Sequence, residues 1–329
     1  METRSRKAAL ILQSTVKQLD IFSTVTVTNY KDGKGIICLY EPAAIQKTLN
    51  TLSHAKLVKD VHSFHMAVDY LNSTNIVKAH SLFLQSSAQR LGDLEVDIRG
   101  ISTLQALRLF EGVHFPYLYS FSTRTLPHEG LRGFLDRHTT IIDLMLGPCP
   151  QFPCPLESVP PLPHLFSVEG AAKCISPLVS DRTTRIFSQR TSVQDQSHLQ
   201  LFQDLLVANS FVVNFSLEYH PADTKFLKDL VSAMPAVSAL RLIEFPIDGK
   251  VPLPRGAYPW GARNWGTQFR ALTRMTRFFL KSTDMLIKDP GNEVEERDLI
   301  RSWSGDTGEK HELLKEIYLW YGYGPEIAF

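Results

Sequence analysis

Residues 141–149 read Ile-Ile-Asp-Leu-Met-Leu-Gly-Pro-Cys, and this short stretch decides how the rest of the chain is interpreted. Its first, fourth and sixth residues are apolar and its last is Cys149, which matches the strand phrase L-x-x-L-x-L-x-x-C of a leucine-rich repeat. The segment 131–138, directly before it, has the spacing of an amphipathic helix. Because one helix and one strand cannot bury their apolar faces alone, the phrase predicts a stack of similar units.

Weaker copies of this phrase recur on both sides of it. The centres at Leu144, Leu165 and Ile186 are 21 residues apart, and those at Phe215 and Leu240 are 25 apart. Both spacings lie within the range of about 20–29 residues that leucine-rich repeats show. Further strands are predicted around Val25, Val61, Leu94, Leu107, Leu118, Phe278 and Ile317. Helical patterns are predicted at 78–88, 127–138, 171–179, 195–209, 222–234 and 263–273.

The sequence therefore predicts an α/β fold, an irregular leucine-rich-repeat-like solenoid with parallel strands on the concave face and helices on the convex face. Only Cys149 fills the position that asparagine or cysteine occupies in regular repeats, which is why irregular repeats are expected. An ordinary α/β domain with a parallel sheet would show the same alternation, and it stays the alternative. The predicted organisation is an N-terminal helix at 1–20, one domain at 21–329, and inserted loops at 147–163, 246–262 and 288–309.

Composition and charge limit the classes of partner. Hydrophobic residues make up 43% of the 329 residues and charged residues 21%, as in ordinary globular proteins. A formal net charge of +1 gives no reason to expect nucleic acid or an anionic membrane as a partner. No run reaches the roughly 18 apolar residues of a membrane span, and no secretory signal is recognisable. Four cysteines without such a signal predict reduced thiols in an intracellular protein, cytoplasmic or nuclear.

The central phrase also carries a family resemblance. Residues 134–138, Phe-Leu-Asp-Arg-His, followed by 141–149 resemble the F-L-x-R-H and L-x-l-G-x-C phrases of fungal (basidiomycete) F-box-type proteins. Residues 162–165, Leu-Pro-His-Leu, are similar to the next repeat of that family, and 314–320 to its last strand. The N-terminal F-box module of the family is not recognisable, although residues 8–27 resemble the end of such a module.

The resemblance implies a non-enzymatic protein-interaction domain that serves as a substrate-recognition subunit of a ubiquitin ligase. Its partner would be an unidentified substrate protein bound by the repeats. A Skp-type adaptor is implied only if the full gene product carries an F-box. No cofactor, nucleic acid or membrane is implied, and the chain is expected to be a monomer. Two alternatives stay open: a repeat scaffold with no ligase role, and an α/β enzyme whose site lies in the inserted loops.

Candidate catalytic and metal-ligating residues carry weak signals. His62 and His65 are three residues apart, but on a strand such a pair points to opposite faces, which argues against a metal pair. Cys149 and Cys154 could meet a zinc ion only with ligands from elsewhere, and Cys149 is more simply a core residue below its strand. The stretch 305–310, Gly-Asp-Thr-Gly-Glu-Lys, lacks the phosphate-loop pattern G-x-x-x-x-G-K-[ST]. No catalytic, cofactor or metal site is therefore predicted.

The repeat pattern predicts a protein-binding surface instead. Since side chains alternate along a strand, the residue between the last two apolar positions of each copy faces the concave side. Glu95, Ser216, Phe279 and Tyr318 are among these residues. The predicted binding residues are the apolar and aromatic Tyr119, Met145, Phe166 and Phe187, with Arg108 and Arg241 as charges. Aromatic residues rimmed by charge are typical of binding hot spots. The alternative is that an inserted loop such as 246–262 covers this stripe.

Overall fold

The computed structural model describes residues 23–29, 61–68, 81–85, 90–189, 196–220, 225–244, 262–282 and 311–321, and single positions between 298 and 303. Contacts divide the chain into two compact units, Met1–Leu165 and Phe166–Phe329, called unit 1 and unit 2 and described separately. The N-terminal helix predicted at 1–20 lies outside the described residues. The same holds for almost all of the loops predicted at 246–262 and 288–309.

Unit 1 is an α/β unit whose strands pair in the order of the sequence. These strands are β1 (Ser23–Asn29), β2 (Val61–Val68), β3 (Asp93–Ile98), β4 (Ser120–Thr123) and β5 (Asp143–Leu146). Strands β2 to β5 are parallel, and β1 runs antiparallel to β2. Its helical segments are 81–85, α1 (Thr103–Leu109), α2 (His128–Arg137) and a 3-10 helix at Pro155–Ser158.

Unit 2 repeats the same alternation of helices and strands, and the strands described in it are all parallel. These strands are β6 (Ser167–Ala171), β7 (Arg185–Gln189), β8 (Asn214–Tyr219), β9 (Ala239–Glu244), β10 (Arg277–Ser282) and β11 (Glu316–Tyr321). Its described helices are α3 (Ala172–Ile175), a 3-10 helix at Ser176–Leu178, α4 (Ser197–Val207), α5 (Phe226–Ala233) and α6 (Ala262–Ala271).

Alternating burial gives most of the described strands two different faces. In β3, Leu94, Val96 and Ile98 are buried while the residues between them are half-buried. In β10, Phe278 is buried against Phe269 of α6, with ring centres 4.6 Å apart. Each unit therefore has a buried face that packs on helices. The residues in between form a second face, which we call the alternate face.

A repeated pair of backbone hydrogen bonds sets where the strands begin. In unit 2 the N–H groups of Val213 and Asn214 both donate to the carbonyl oxygen of Thr184, at 2.8 and 3.1 Å. Residues whose carbonyl accepts such a pair are called start residues. The other start residues are Phe166, Val213, Ser238 and Thr276 in unit 2 and Gly92 and Tyr119 in unit 1.

The predicted α/β class with parallel strands is confirmed, since helices and strands alternate in both units. The strand centres predicted at Ile186, Phe215 and Leu240 pair with one another in register. The apolar residues that repeat in these three strands are therefore the residues of the buried face. Four predicted helices are also confirmed, those at 127–138, 195–209, 222–234 and 263–273.

The strand predicted around Leu107 is wrong, because Thr103–Leu109 forms helix α1. The side chain of Ser102 accepts a hydrogen bond from the Gln105 N–H, and the Gln105 side chain accepts one from the Ser102 N–H. This reciprocal capping box favours a helix start over the strand-like apolar spacing that follows it. Arg108 therefore lies exposed on a helix, and not on the strand face predicted for it.

Strand β4 begins later than predicted. Phe121, three positions after the predicted centre Leu118, is the residue that pairs with Leu144. Leu118 is fully buried as well, so the apolar pattern fits both registers and the backbone hydrogen bonds decide between them. Tyr119 is consequently a start residue, one position before the strand on which it was predicted.

Strand β6 shows the same shift. Val168 pairs with Ile186, three positions after the predicted centre Leu165, which is again fully buried. Phe166 is therefore a start residue that precedes β6. The prediction that Phe166 shares a row with Phe187 is wrong by three positions, and Glu169 occupies that place.

Candidate functional site

The alternate face of unit 2 forms a groove of about 380 Å³. We call it the aromatic groove, because rings from several neighbouring strands contribute to it. Its residues all lie on β6 to β11, so secondary structure rather than loops holds them in place. They are Ser167, Val168, Glu169, Arg185, Ile186, Phe187, Asn214, Phe215, Ser216, Ala239, Arg241, Phe279 and Trp320.

One row of paired residues crosses the aromatic groove. By strand register this row consists of Glu169, Phe187, Ser216, Arg241, Phe279 and Tyr318. Neighbouring strands of a sheet are about 4.8 Å apart, so Phe187 and Arg241 lie two strand spacings from each other on one face. The structure thus brings together two of the predicted binding residues, with Ser216 between them.

Three aromatic rings of this face stack on one another. The ring centres of Phe279 and Tyr318 are 4.7 Å apart with planes inclined by 5°. Trp320 lies 5.9 Å from Tyr318 and 6.1 Å from Phe279, in nearly the same orientation. Tyr318 and Trp320 each keep 41% of their surface exposed. This aromatic ladder is a flat apolar surface whose side chains are already ordered, which lowers the entropic cost of binding.

Charged side chains also contribute to the alternate face of unit 2. The guanidinium of Arg185 lies 5.3 Å from the ring centre of Phe166, a cation–π contact. The Tyr318 hydroxyl donates to Glu316 at 3.2 Å, and the negative charge of Glu316 raises the pKa of Tyr318. Arg241 adds a second positive charge to the groove lining. A surface that contains arginine, tyrosine and tryptophan has the composition of a binding hot spot.

The four residues of the predicted stripe do not all belong to one unit. Phe166 and Phe187 lie in unit 2, whereas Tyr119 and Met145 lie in unit 1. Tyr119 is exposed, and its hydroxyl oxygen lies 3.4 Å from Nε2 of His62. Met145 is half-buried on the alternate face of β5, as the strand pattern predicted. The aromatic groove therefore contains only part of the predicted stripe.

Arg108 lines a different cavity, of about 410 Å³, between helices α1 and α2 of unit 1. These two helices approach closely at Gly130, where an added Cβ would lie 2.6 Å from the Cβ of Ala106. The exposed Leu104 and Leu107 belong to the same cavity. Arg108 is thus separated from the strand face that it was predicted to flank.

The alternate face of unit 1 carries an ion-pair cluster. Nε2 of His65 lies 2.6 Å from Asp93, and Nδ1 lies 2.8 Å from Glu95. Hydrogen bonds to Asp93 and Glu95 raise the pKa of His65 to about 10. Both ring nitrogens therefore donate, and the imidazole is a cation at neutral pH. A histidine in this state cannot act as a general base, and it forms an ion pair with both carboxylates.

The carboxylates of this cluster are stabilised in their ionised form. Although burial acts to raise it, hydrogen bonds from His65, Ser120 and Ser63 hold the pKa of Asp93 below its usual value. The hydrogen bond from His65 likewise lowers the pKa of Glu95. His62, the other histidine of the pair weighed as metal ligands, has its ring beside Tyr119. Both donors of His65 are therefore paired with carboxylates within the cluster.

No protein-family model matches the chain, and no curated protein matches it. The geometry of the described residues is therefore the basis for assigning function. None of the described helices combines the length and the apolar character needed to cross a membrane. Among the described residues of unit 1, His128, Cys149 and Cys154 form a group with metal-ligand chemistry, and all are buried. The burial of Cys149 confirms its predicted place in the core.

Sequence reasoning missed several residues of the aromatic groove, among them Trp320, Glu169 and Asn214. Trp320 lies two positions after Tyr318, so strand alternation alone places it on the same face. Glu169 follows from the register of β6, which the apolar pattern leaves ambiguous. Asn214 is the first residue of β8, and no signal in the sequence distinguishes it from other loop-flanking polar residues.

Proposed function

We propose that the protein is a non-enzymatic interaction domain whose aromatic groove binds a segment of a partner protein. The observation that carries this proposal is the aromatic ladder of Phe279, Tyr318 and Trp320, which stacks on the alternate face and stays partly exposed. Exposed aromatic surface is unfavourable in water, and a partner that covers it recovers that free energy.

The repeated geometry supports an irregular leucine-rich-repeat-like solenoid as the architecture of this domain. The same pair of hydrogen bonds to a start residue precedes strand after strand within each unit. Each strand then places one row of residues on the buried face and one on the alternate face. A repeat of this kind presents many variable side chains on a regular backbone, which suits recognition of an extended partner.

The chemistry of the groove defines the partner segment. The ladder suits an apolar or aromatic anchor, because stacked rings offer flat surface and few polar groups. Arg185 and Arg241 suit carboxylates, whereas Glu169 is the acidic member of the lining. We therefore expect the bound segment to combine one apolar anchor with acidic side chains.

Two further proposals rest on the resemblance to fungal F-box-type proteins. The partner would be a substrate of a ubiquitin ligase, and a Skp-type adaptor would join if the full gene product carries an F-box. The alternative is a scaffold with no ligase role. Affinity capture of the full-length gene product, probed for Skp and cullin, separates the two. Co-purification of both supports the receptor, and capture of the groove partner without either supports the scaffold.

Replacing the two most exposed rings of the ladder tests the binding proposal. The double variant Tyr318→Ala/Trp320→Ala is expected to bind its partner at least about 10-fold more weakly, because truncating hot-spot aromatics costs about 2 kcal/mol or more. The matched control is Leu206→Ala/Val207→Ala on α4, which also removes two exposed apolar side chains. Partners captured from cells are identified by mass spectrometry, and their affinities are measured with purified protein.

The control separates a specific site from general stickiness. Both variants should retain the wild-type circular dichroism spectrum, since all four side chains are exposed or partly exposed. Loss of the same partners in both variants, or retention of every partner at unchanged affinity in the ladder variant, would contradict the assignment of the groove.

A further inference from the structure

Three buried side chains with metal-ligand chemistry meet in unit 1. His128 begins helix α2, Cys149 follows β5, and Cys154 directly precedes the 3-10 helix. Their ligand atoms lie within 4.8 Å of one another, and Nδ1 of His128 lies 3.4 Å from Sγ of Cys154. Each of the three residues is at most 3% exposed. We propose that they bind one zinc ion.

The distances between the ligand atoms suit zinc. Bonds of about 2.3 Å to sulfur and about 2.0–2.1 Å to nitrogen place the ligand atoms of a tetrahedral site roughly 3.5–3.8 Å apart. The separation of 3.4 Å between His128 and Cys154 already has this size. The widest separation between ligand atoms in the group is up to 4.8 Å, and side-chain shifts of about 1 Å reduce it to the separation that a tetrahedral zinc site requires.

The hydrogen bonding of His128 also points to a ligand. Its Nδ1 faces the sulfur of Cys154, and its buried Nε2 has no hydrogen-bond partner among the residues that the structure describes. Buried polar side-chain atoms are normally paired with oxygen or nitrogen, whereas a thiol is a weak donor and acceptor. A bond from the imidazole to zinc replaces this weak contact with a strong one.

The charge balance of such a site is compatible with its burial. Zinc binds cysteine as thiolate, so coordination displaces the thiol protons of Cys149 and Cys154 into solvent while the imidazole stays neutral. Two thiolates balance the double positive charge of the ion, and the site carries no net charge. Its affinity for zinc is therefore expected to rise with pH. Three protein ligands leave the fourth position to water or to another donor.

The loop that carries the two cysteines is constrained by its sequence. Pro150 and Pro153 lie between Cys149 and Cys154 and fix two backbone φ angles there. Upstream, an added Cβ at Gly147 would lie 1.9 Å from a backbone oxygen, so the loop begins in close contact with the neighbouring chain segment. A zinc ion would join this loop to the first residue of α2, which gives it a structural role.

Metal analysis of the full chain tests this inference. After expression with zinc and purification under reducing conditions, one zinc per chain is expected. Replacement by cobalt should give the visible bands of a tetrahedral site and a thiolate-to-cobalt charge-transfer band with the intensity of two thiolates. The variants Cys149→Ser and Cys154→Ser should bind cobalt at least about 10-fold more weakly. The matched control is Cys38→Ser, which changes a cysteine elsewhere in the sequence and should bind like the wild type.

Either of two results overturns the proposal. One is the absence of a thiolate charge-transfer band when cobalt is added to the reduced wild-type chain. The other is equal metal affinity in Cys149→Ser, Cys154→Ser and Cys38→Ser. If a serine variant does not fold, the wild-type cobalt spectrum alone decides. A count of reactive thiols before and after chelation distinguishes zinc from a disulfide, since only zinc-bound thiols become reactive on chelation.

Discussion

The alternate faces of the two units differ, although the strands beneath them are built alike. In unit 1 one row of paired residues begins with the ionic or polar His65, Glu95 and Ser122 and ends with the apolar Met145. In unit 2 the corresponding row consists of Glu169, Phe187, Ser216, Arg241, Phe279 and Tyr318. Three of these six residues are aromatic. The buried faces of both units are mostly apolar in the described strands, and their buried polar residues are Thr123, Ser188, Glu244 and Ser282.

The contrast indicates which surface is suited to binding a partner. Packing against helices favours apolar side chains on the buried face, whereas the alternate face can vary without loss of the fold. In unit 1 the imidazole of His65 uses both its donors on Asp93 and Glu95, so the cluster satisfies itself. In unit 2 the rings of Tyr318 and Trp320 stack on each other but remain partly exposed. The second surface is the one that gains from being covered.

Two adjacent phenylalanines of β10 provide the largest expected contrast between the faces. Phe278 is fully buried against Phe269 and Trp303, whereas Phe279 stacks on Tyr318. Phe278→Ala should lower the free energy of unfolding by about 3–5 kcal/mol, because it leaves a cavity in the core. Phe279→Ala should lower it by about 1 kcal/mol and weaken partner binding. Urea denaturation of both variants measures the difference.

The pair also contains its own control, since both variants remove the same atoms from neighbouring positions. An equal loss of stability would mean that the rings of the aromatic groove belong to the core. The division between a buried and an alternate face would then fail in unit 2.

A buried histidine of unit 1 provides the next largest effect. Nε2 of His138 accepts from the Phe115 N–H at 2.9 Å, and Nδ1 donates to the Phe134 carbonyl at 2.6 Å. Burial lowers the pKa of His138 to about 4. Because the folded-state pKa lies below the ordinary 6.5, the neutral imidazole contributes stability that is fully present above pH 6.5 and is lost as the pH falls to about 4. The free energy of unfolding should fall by about 3 kcal/mol over this range, measured by urea denaturation at several pH values.

The variant His138→Gln supplies the comparison, because glutamine does not titrate in this range. Its unfolding free energy should vary less between pH 6.5 and pH 4 than that of the wild type. The nearby charges of His114 and Arg137 also lower the pKa of His138, so they contribute in the same direction. A wild-type histidine that titrates near 6.5 by NMR would contradict the assignment.

The sequence predicted the buried face better than anything else in the fold. Apolar spacing located the centres at Phe215 and Leu240, because that spacing is the direct cause of their burial. It could not fix β4 and β6, since Leu118 and Leu165 are as buried as the true centres. At α1 the sequence contains both the capping box of Ser102 and a strand-like apolar spacing, and the capping box prevails.

The candidate site was predictable only where the register was right. Phe187 and Arg241 lie on strands whose centres were predicted correctly, and both residues line the aromatic groove. The ion pair of His65 needs the pairing of β2 with β3, which joins residues 28 and 30 positions apart. The contact of His128 with Cys154 spans 26 positions. Neither separation is encoded in a local pattern, so tertiary packing alone reveals these groups.

The smallest expected effect concerns the ion pair that distinguishes the face of unit 1. The variants Asp93→Asn and Glu95→Gln should each lower the pKa of His65 from about 10 toward 6.5, measured by NMR titration of the imidazole. A raised folded-state pKa gives stability that is present below pH 6.5 and is lost as the pH rises through about 10. The change in stability should be slight, because His65 is partly exposed and solvent screens the pair.

Asp143→Asn, which lies on the alternate face of β5, is the control and should leave the titration of His65 unchanged. If wild-type His65 titrated near 6.5, its imidazole would be neutral at neutral pH and would form no ion pair with Asp93 and Glu95. The ion pair would then no longer explain why the aromatic face, and not the face of unit 1, is the one that binds a partner.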